Sequence, residues 1–162
     1  MNIMDEENAK NNTWEFIKVV LISLTIVLPI RIYIAQPFIV SGESMEPNFH
    51  DGEYLIIDEL TYQFRQPVRG EVIVFRYPLN PREFFIKRII GLPGETVETQ
   101  TGKVVAKVVP NVTMTLKENE YFVMGDNRPH SSDSRFWGAL PKDKIMGRTL
   151  FRLWPIARAE IL

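Results

Sequence analysis

The chain has no cysteine and only two histidines among its 162 residues. The lack of cysteine excludes disulfides, thiolate metal ligands and thiol nucleophiles. His50 and His130 are too few for a histidine-rich metal site, and a Ser–His triad would have to use one of them. A cysteine-based or histidine-rich active site is therefore excluded.

The chain also lacks an excess of charge of either sign. It has 19 Lys and Arg against 20 Asp and Glu, which gives a formal net charge of -1. A protein whose main partner is nucleic acid presents a basic surface to the phosphates. The balance therefore predicts that nucleic acid is not a partner. The length predicts one domain with its own hydrophobic core.

Long uncharged apolar runs are scarce as well. The uncharged part of the N-terminal apolar stretch, Val19–Ile30, has only 12 residues, which by itself suits a buried helix or the core of a signal peptide. Lys18 and Arg31 flank it, however, and both side chains can extend toward a membrane surface. Residues 16–35 then form a usable span of 20 residues, and as a helix this span is about 30 Å long. We therefore predict one transmembrane helix over residues 14–36.

A signal peptide that is removed is the rival interpretation of this stretch. The segment before it is acidic (Asp5, Glu6 and Glu7), whereas a signal peptide begins with positive charge. The residues after it, RIYIAQPF, contain no A-x-A-like cleavage site. We therefore predict a polar disordered tail over residues 1–13, an uncleaved anchor over 14–36 and a folded domain over 37–162.

From residue 37 onward, apolar residues come in short runs separated by turn signals such as Asp51-Gly52 and Thr101-Gly102. No helical period of useful length follows Phe38. Such a pattern predicts a mainly β fold, an antiparallel sheet or a barrel-like arrangement. The predicted strands are residues 38–40, 54–57, 71–75, 83–90, 104–109, 121–125 and 145–154.

Three segments contain side chains that could take part in catalysis. The first is a turn, residues 41–47 (SGESMEP), which we name the serine turn. Pro47 lies three residues after Ser44. Such a turn can hold the Ser44 hydroxyl outward at a strand end and leave nearby backbone N–H groups free to bind an oxyanion. The alternative is an ordinary surface turn, in which serine and glycine are common.

The second segment is the predicted strand 84–90 (FFIKRII), in which Lys87 shares one face with Phe85 and Ile89. Burial between large apolar side chains disfavours the ammonium, so we expect a lowered pKa for Lys87. A neutral amine can then take the proton of a serine hydroxyl. The alternative is a lysine that extends to solvent at a strand edge. Arg88 faces the other way and needs an acidic partner.

The third segment, residues 125–138 (GDNRPHSSDSRFWG), is dense in polar and charged side chains, and we name it the polar loop. Such density is also typical of a loop that is merely solvated. The alternation of Asp and Arg instead indicates salt bridges that fix the geometry of the loop. A serine within it could orient a neighbouring lysine.

Taken in order, these segments contain the motifs Ser41-Gly42-x-Ser44-Met45-x-Pro47, Lys87-Arg88-x-x-Gly91-x-Pro93-Gly94-Glu95 and Gly125-Asp126-Asn127-Arg128-x-x-Ser131-x-Asp133-Ser134-Arg135-x-x-Gly138. Together they resemble the motifs of bacterial type I signal peptidases, which use a Ser–Lys dyad. The run Arg69-Gly70-Glu71-Val72-x-Val74-Phe75 is also similar to a strand of that family. The resemblance extends over nearly all of residues 38–154.

Residue by residue, the resemblance implies that Ser44 is the nucleophile and Lys87 the general base. It implies that Ser131 hydrogen-bonds the Lys87 amine and orients it. The supporting ion pairs that it implies are Arg88 with Asp126 and Asp133 with Arg135. Gly42 is a departure, because some members have a serine there whose hydroxyl helps to bind the oxyanion. In this chain the oxyanion has to rely on the Ser44 N–H and on a second backbone group or a water.

The resemblance also implies an antiparallel β fold and the absence of a metal or organic cofactor. It implies a single-pass protein of the plasma membrane, with the lipid bilayer as a partner and the catalytic domain, residues 37–162, on the outer face. The implied substrates are exported preproteins whose signal peptides carry small residues before the cut. We expect an extended substrate to add as a strand beside residues 38–42.

Three alternatives remain open. His130 is a rival general base, because it lies next to Ser131. A self-cleaving Ser–Lys repressor-type peptidase shares the dyad, but this sequence has no Ala-Gly cut site and leaves no room for a DNA-binding domain. A catalytically inactive, membrane-anchored β module would only bind peptides.

Overall fold

The computed structural model describes residues 14–25, 27, 36–99 and 112–162. The chain divides into two compact units, Met1–Ala35 and Gln36–Leu162. In the first unit, residues 14–25 are helical. Within the described ranges, no helix is both long enough and apolar enough for a membrane crossing. The predicted tail, residues 1–13, and part of the predicted anchor lie outside the described residues.

The second unit consists mainly of short strands, and all the pairings between them are antiparallel, as the sequence predicted. The strands are β1 (Gln36–Ile39), β2 (Tyr54–Asp58), β3 (Val72–Tyr77), β4 (Asn80–Gly91), β5 (Thr96–Thr99), β6 (Val112–Thr115), β7 (Glu120–Met124), β8 (Leu140–Pro141), β9 (Ile145–Trp154) and β10 (Glu160–Ile161). The large sheet has the order β1-β2-β9-β3-β4-β7-β8, and β10 pairs with β9. β5 and β6 form a separate two-stranded sheet.

β3 is buried on both faces, and its side chains alternate between two hydrophobic cores because successive residues of a strand point in opposite directions. Val72 and Val74 enter the first core, and Ile73 and Phe75 enter the second. The other buried members of the first core are Val40, Met45, Phe49, Leu55 and Ile57, and those of the second are Ile89, Tyr121, Val123 and Leu140. β3 is therefore held from both sides and fixes the register of its neighbours.

β4 carries Lys87 directly opposite Ile73 of β3. On its other side β4 pairs with β7 only from Arg88 onward. Within the described sheet, the preceding residues of β4 therefore have no strand on that side. β1 likewise pairs with β2 alone. The sheet thus has free backbone edges along β1 and along residues 83–87 of β4.

The sequence located β1, β2, β3, β4, β7 and β9 within a few residues. It missed β8 and β10, which have two residues each, and the threonine-rich β5 (TVET) and β6 (VTMT). The predicted strand at 104–109 lies outside the described residues. Within the described residues of this unit, the helices are the single turns α1 (Thr61–Phe64) and α2 (Ser134–Trp137) and three short 3-10 turns, which agrees with the lack of a helical period.

Candidate active site

The serine turn follows β1 and is anchored at several points. Met45 is fully buried in the first core directly after Ser44. Gly42 has a φ of 83°, a left-handed conformation that glycine adopts without a steric penalty. Its N–H donates to Asp51 Oδ1 at 2.7 Å. Together these contacts leave the half-buried Ser44 side chain at the surface of a groove.

Lys87 is only 4 % exposed and reaches Ser44 from β4. Its Nζ donates to Ser44 Oγ at 2.7 Å and to the carbonyl oxygen of Ile86 at 2.9 Å. It also lies 5.3 Å from the centroid of the Phe85 ring, on the apolar face that the strand period predicted. The structure therefore brings together the two residues that the sequence predicted as nucleophile and base.

The surroundings of Lys87 lower its pKa from the ordinary value of 10.5 to about 8. Burial is the main cause, because the ammonium has lost most of its water, and the carboxylates of Asp133 and Asp126 oppose the shift. About a tenth of the amines are then neutral at pH 7, a fraction roughly 300-fold larger than for a lysine in water. The lowered pKa expected from the sequence is confirmed.

Ser131 does not make the predicted hydrogen bond. It is 1 % exposed, and its hydroxyl has no hydrogen-bond partner among the described residues. The amine of Lys87 instead faces Ser44 Oγ and a backbone carbonyl. The Ser131 hydroxyl packs so tightly against Gly125 that a Cβ there would overlap it. The serine therefore lies against Gly125 and makes no hydrogen bond to the amine.

Both predicted ion pairs are confirmed. Arg88 Nε and Nη2 donate to the two carboxylate oxygens of Asp126, at 2.8 and 2.6 Å. Arg135 Nε and Nη2 likewise donate to the two oxygens of Asp133, at 2.7 and 2.8 Å. Asp133 is fully buried and also accepts a hydrogen bond from the Gly125 N–H. The Arg88–Asp126 pair holds the polar loop against β4. The bond from Gly125 to Asp133 joins residues eight positions apart within the loop.

The polar loop also binds the serine turn directly, through residues that the sequence did not single out. The Asn127 N–H donates to the carbonyl oxygen of Ser44 at 3.0 Å, and Asn127 Nδ2 donates to that of Glu43 at 3.1 Å. Asn48 Nδ2 donates to Asp126 Oδ2 at 2.8 Å. The only sequence signal was that Asn127 stands within the third motif and that Asn48 directly follows the first, which does not reveal their partners.

His130, the rival base, contacts the serine turn elsewhere. Its Nδ1 lies 2.9 Å from Glu43 Oε1, and both side chains are exposed. The group that contacts Ser44 Oγ is the amine of Lys87. The geometry therefore favours Lys87 over His130 as the proton acceptor.

An open groove of about 390 Å³ passes Ser44 and Lys87. Its walls come largely from the two free edges of the sheet, and apolar side chains dominate them. The lining residues along the edges are Phe38, Ile39 and Val40 on the β1 side and Glu83, Phe84, Phe85 and Ile86 on β4. An extended peptide in this groove would find unpaired backbone groups and the Ser44–Lys87 contact beside it.

A second cavity, of about 430 Å³, lies away from this chemistry and shares no lining residue with the groove. Four arginines line it, and each already binds a protein carboxylate. The pairs are Arg69 with Glu95, Arg88 with Asp126, Arg148 with Asp58 and Arg152 with Glu53. Its charges are therefore compensated within the protein.

Comparisons with known proteins identify the family of the chain. The family model described as signal peptidase, peptidase S26 matches residues 13–111 and 105–154. The chain belongs to this family. Membership confirms the resemblance of the three motifs and the enzyme class, a peptidase.

Individual signal peptidases match over most of their length. The probable signal peptidase I-2 of Synechocystis sp. is 34% identical over 97% of this chain and 81% of its own. The signal peptidase I of Leptolyngbya laminosa is 36% identical over 94% of this chain and 85% of the relative. The signal peptidase I of Bacillus licheniformis is 32% identical over 91% of this chain and 92% of the relative. A crystal structure of a signal peptidase I from Enterococcus faecalis V583 covers 52% of this chain and 97% of its own, with 31% identity and a TM-score of 0.44.

Proposed function

We propose that this protein is a membrane-tethered serine endopeptidase that removes signal peptides from exported preproteins, with Ser44 as nucleophile and Lys87 as general base. The 2.7 Å contact between Ser44 Oγ and the Nζ of buried Lys87, beside an open groove, is the observation that carries the proposal. Membership of the signal peptidase family supports the reaction, and the contact supports the residues assigned to it.

The reaction begins with neutral Lys87. In this state the amine nitrogen has a lone pair, so the Ser44 hydroxyl donates to it across the same contact. As Ser44 Oγ attacks the scissile carbonyl carbon, its proton passes to Lys87 Nζ. The carbonyl becomes a tetrahedral oxyanion, which the backbone N–H of Ser44 stabilises by a hydrogen bond.

The same lysine then works as an acid. Lys87, now an ammonium, gives its proton to the leaving amine as the peptide C–N bond breaks, and an acyl-enzyme forms on Ser44. The amine is neutral again and can take a proton from the water that attacks the ester. This second attack releases the signal peptide and restores both side chains.

The groove explains how a substrate would be held. A segment in extended conformation can pair with the free edges of β1 and β4, because both present unpaired backbone groups. Near the scissile bond the apolar walls are close to Ser44, which favours small side chains before the cut. We propose that exported preproteins supply such segments from their signal peptides.

The membrane placement is part of the proposal. Residues 14–36 are the proposed single-pass anchor in the plasma membrane, and the second unit lies on the outer face, where preproteins emerge. The apolar side chains of the helical residues 14–25, including Phe16, Leu21 and Ile22, are exposed and suit contact with lipid.

Cleavage of a preprotein by the full-length, detergent-solubilised protein tests the proposal. Ser44→Ala and Lys87→Ala should each abolish cleavage, and the double variant should be no worse, because the two residues act as one unit. Lys87→Arg should also be inactive, since guanidinium does not act as a base. Lys117→Ala, at a side chain that is 84 % exposed, is the matched control and should cleave normally.

Two results would count against the proposal. Near-normal cleavage by Ser44→Ala or Lys87→Ala would refute the dyad. No cleavage by the wild-type protein, folded and with an accessible preprotein, would favour an inactive peptide-binding module.

A further inference from the structure

The peptide unit between Glu43 and Ser44 has one end held and one end free. Its carbonyl oxygen accepts the hydrogen bond from Asn127 Nδ2 at 3.1 Å. The Ser44 N–H, at the other end, has no hydrogen-bond partner among the described residues. This N–H belongs to the proposed nucleophile, and the proposed reaction uses it as a donor.

The two ends cannot turn independently. A peptide unit is planar, and in the trans form its C=O and N–H point in opposite directions. The Glu43–Ser44 bond is trans, because the cis bonds of the described chain are Glu46–Pro47 and Trp154–Pro155. A hydrogen bond that fixes the direction of the Glu43 carbonyl therefore also fixes the Ser44 N–H, which points away from the polar loop.

We propose that Asn127 is a positioning residue, whose side-chain amide orients the Ser44 N–H toward the oxyanion by holding the opposite end of the same peptide unit. This inference rests on the proposed function, since an oxyanion arises there only if Ser44 attacks a carbonyl. Asn127 itself touches neither substrate nor Ser44 Oγ. It acts through the rigidity of the peptide plane.

The composition of the serine turn makes this orientation important. Gly42 has no hydroxyl to offer to the oxyanion, so the Ser44 N–H carries more of the stabilisation. The Gly42 N–H is already occupied by Asp51 Oδ1. A backbone donor stabilises an oxyanion only when it points at the position where the charge develops. A rotation of this peptide plane would thus weaken the site without moving Ser44 Oγ away from Lys87.

The side-chain contact can be removed on its own. The Asn127 N–H still donates to the Ser44 carbonyl, and His130 still contacts Glu43, whichever side chain stands at position 127. Asn127→Ala deletes the amide donor. Asn127→Asp keeps the size of the side chain but places an acceptor where the donor was. Asn119→Asp, on an exposed turn, is the control for the same chemical change.

The experiment compares steady-state cleavage of a soluble peptide substrate with inhibition by two peptides of one sequence, one ending in an aldehyde and one in the corresponding alcohol. Ser44 Oγ adds to the aldehyde carbon, its proton passes to Lys87, and the carbonyl electron pair becomes an oxyanion that needs the Ser44 N–H. The alcohol occupies the groove without this step. Thermal unfolding of each variant shows that it is folded.

In both Asn127 variants we expect kcat to fall about 10- to 100-fold, while KM changes by less than about twofold. The inhibition constant of the aldehyde should rise in proportion, and that of the alcohol should stay the same. In Asn127→Ala the pH at which the rate is half-maximal should not move, because Lys87 is untouched. In Asn127→Asp it should not fall, because an added carboxylate acts on the pKa of Lys87 in the same direction as Asp126 and Asp133. A merely structural loss would weaken both inhibitors and raise KM.

Wild-type kcat in both Asn127 variants, or equal weakening of aldehyde and alcohol, would overturn the inference. If Ser44→Ala is inactive in the same assay, the proposed function then still stands and only the role of Asn127 falls. If Ser44→Ala remains active, both fall together, because the oxyanion does not form at this N–H.

Discussion

Lys87 obtains its chemistry from its position. Lysine is ordinarily an ammonium at neutral pH, but burial between apolar side chains removes the water that stabilises the charge. The two nearby carboxylates, Asp133 and Asp126, only partly compensate, so the pKa stays near 8. This value is close enough to physiological pH for the residue to accept a proton and then return it.

The pH dependence of cleavage follows from this pKa. We expect kcat/KM to rise with pH and to level off above about 8, because only neutral Lys87 accepts the Ser44 proton. The measurement is a pH–rate profile with a soluble peptide. His130→Ala should show the same limb. A limb near the ordinary histidine value that disappears in His130→Ala would assign the base to His130 instead.

Ser131→Ala provides a second test that uses the same pH–rate profile. The Ser131 hydroxyl has no hydrogen-bond partner among the described residues and so does not bond the amine, which means that its loss should leave the pH limb in place. We expect a moderate loss of rate at most. A shift of the limb in this variant would show that the serine bonds the amine during the reaction.

The buried amine should also lower stability. Its folded-state pKa lies below the unfolded value, so between pH 8 and 10.5 the unfolded chain binds more protons, and stability rises with pH through this window. At about 1.4 kcal/mol per pKa unit, burial of the Lys87 amine lowers the free energy of unfolding at pH 7 by about 3 kcal/mol. Lys87→Met should therefore raise the free energy of unfolding by up to about 3 kcal/mol at pH 7, and by about 1 kcal/mol at pH 10.

Urea unfolding of wild type and Lys87→Met at the two pH values measures this effect, and Lys117→Met, at the surface, is the control. Lys87→Met should gain stability while it loses all activity, and Lys117→Met should change neither. An equal gain at pH 7 and pH 10 would mean that the amine is not desolvated in the native protein.

At the scale of elements, the polar loop depends on one carboxylate. Asp133 is fully buried, binds the guanidinium of Arg135 with both oxygens and receives the Gly125 N–H. It also caps α2 by accepting the Arg135 N–H. Removing one partner of a buried ion pair leaves an uncompensated charge, which is costly.

Asp133→Ala should accordingly reduce the free energy of unfolding by about 3–5 kcal/mol. Urea denaturation measures the loss. Asp133→Ala combined with Arg135→Met should recover part of it, because the orphaned charge is gone. Asp143→Ala, at an exposed ion pair, should unfold like wild type. A loss for Asp133→Ala as small as that control would show that the loop does not depend on this carboxylate.

The elements that the sequence predicted well are those with a strong apolar pattern. β3, β4 and β9 are long or buried on both faces, so hydrophobic runs locate them. β5 and β6 alternate threonine with other residues, and each packs one half-buried side chain, Val97 and Met114, against a third core, so no run of apolar residues reveals them. Short edge strands likewise form only because a neighbour offers unpaired backbone groups.

The site divides in the same way. The pairing of Ser44 with Lys87 was predictable because the three motifs resemble those of a family that uses a Ser–Lys dyad. The same resemblance named the partners in the two ion pairs, whereas the residues alone indicated only that a buried charge needs a partner. The absence of a hydrogen bond between Ser131 and the Lys87 amine was not predictable, since such a bond depends on tenths of an ångström and on the rotamer of a hydroxyl. Asn127 was missed because its partner is a carbonyl 84 residues away in the chain, which only folding brings within reach.

At the scale of the whole molecule, the proposed function gives separate tasks to residues 14–36, as the tether, and to the second unit, as the peptidase. The second unit has its own cores and sheet, so it should fold without residues 1–35. A tether keeps the enzyme at the surface where its substrates emerge and raises their effective concentration without any new contact.

Deletion of residues 1–35 should therefore leave cleavage of a short soluble peptide unchanged and slow the processing of preproteins in proteoliposomes. Comparing the two substrates with both forms of the protein is the measurement. Some affinity for lipid vesicles should remain, because Trp154 is 53 % exposed and Leu153 and Ile156 beside it are exposed as well. Equal processing of preproteins by the truncated and full-length forms would show that the tether has no part in the reaction.

The burial of Lys87 also determines at which point the protein becomes able to cleave other proteins. Before the sheet forms, residue 87 is a hydrated ammonium and residue 44 an ordinary alcohol, 43 positions apart in the chain. Neither attacks a peptide bond. On the proposed function, hydrolytic power therefore requires the native arrangement of β3, β4 and the polar loop around the amine, and it is lost when they separate. Newly made copies cannot cleave one another until they are native.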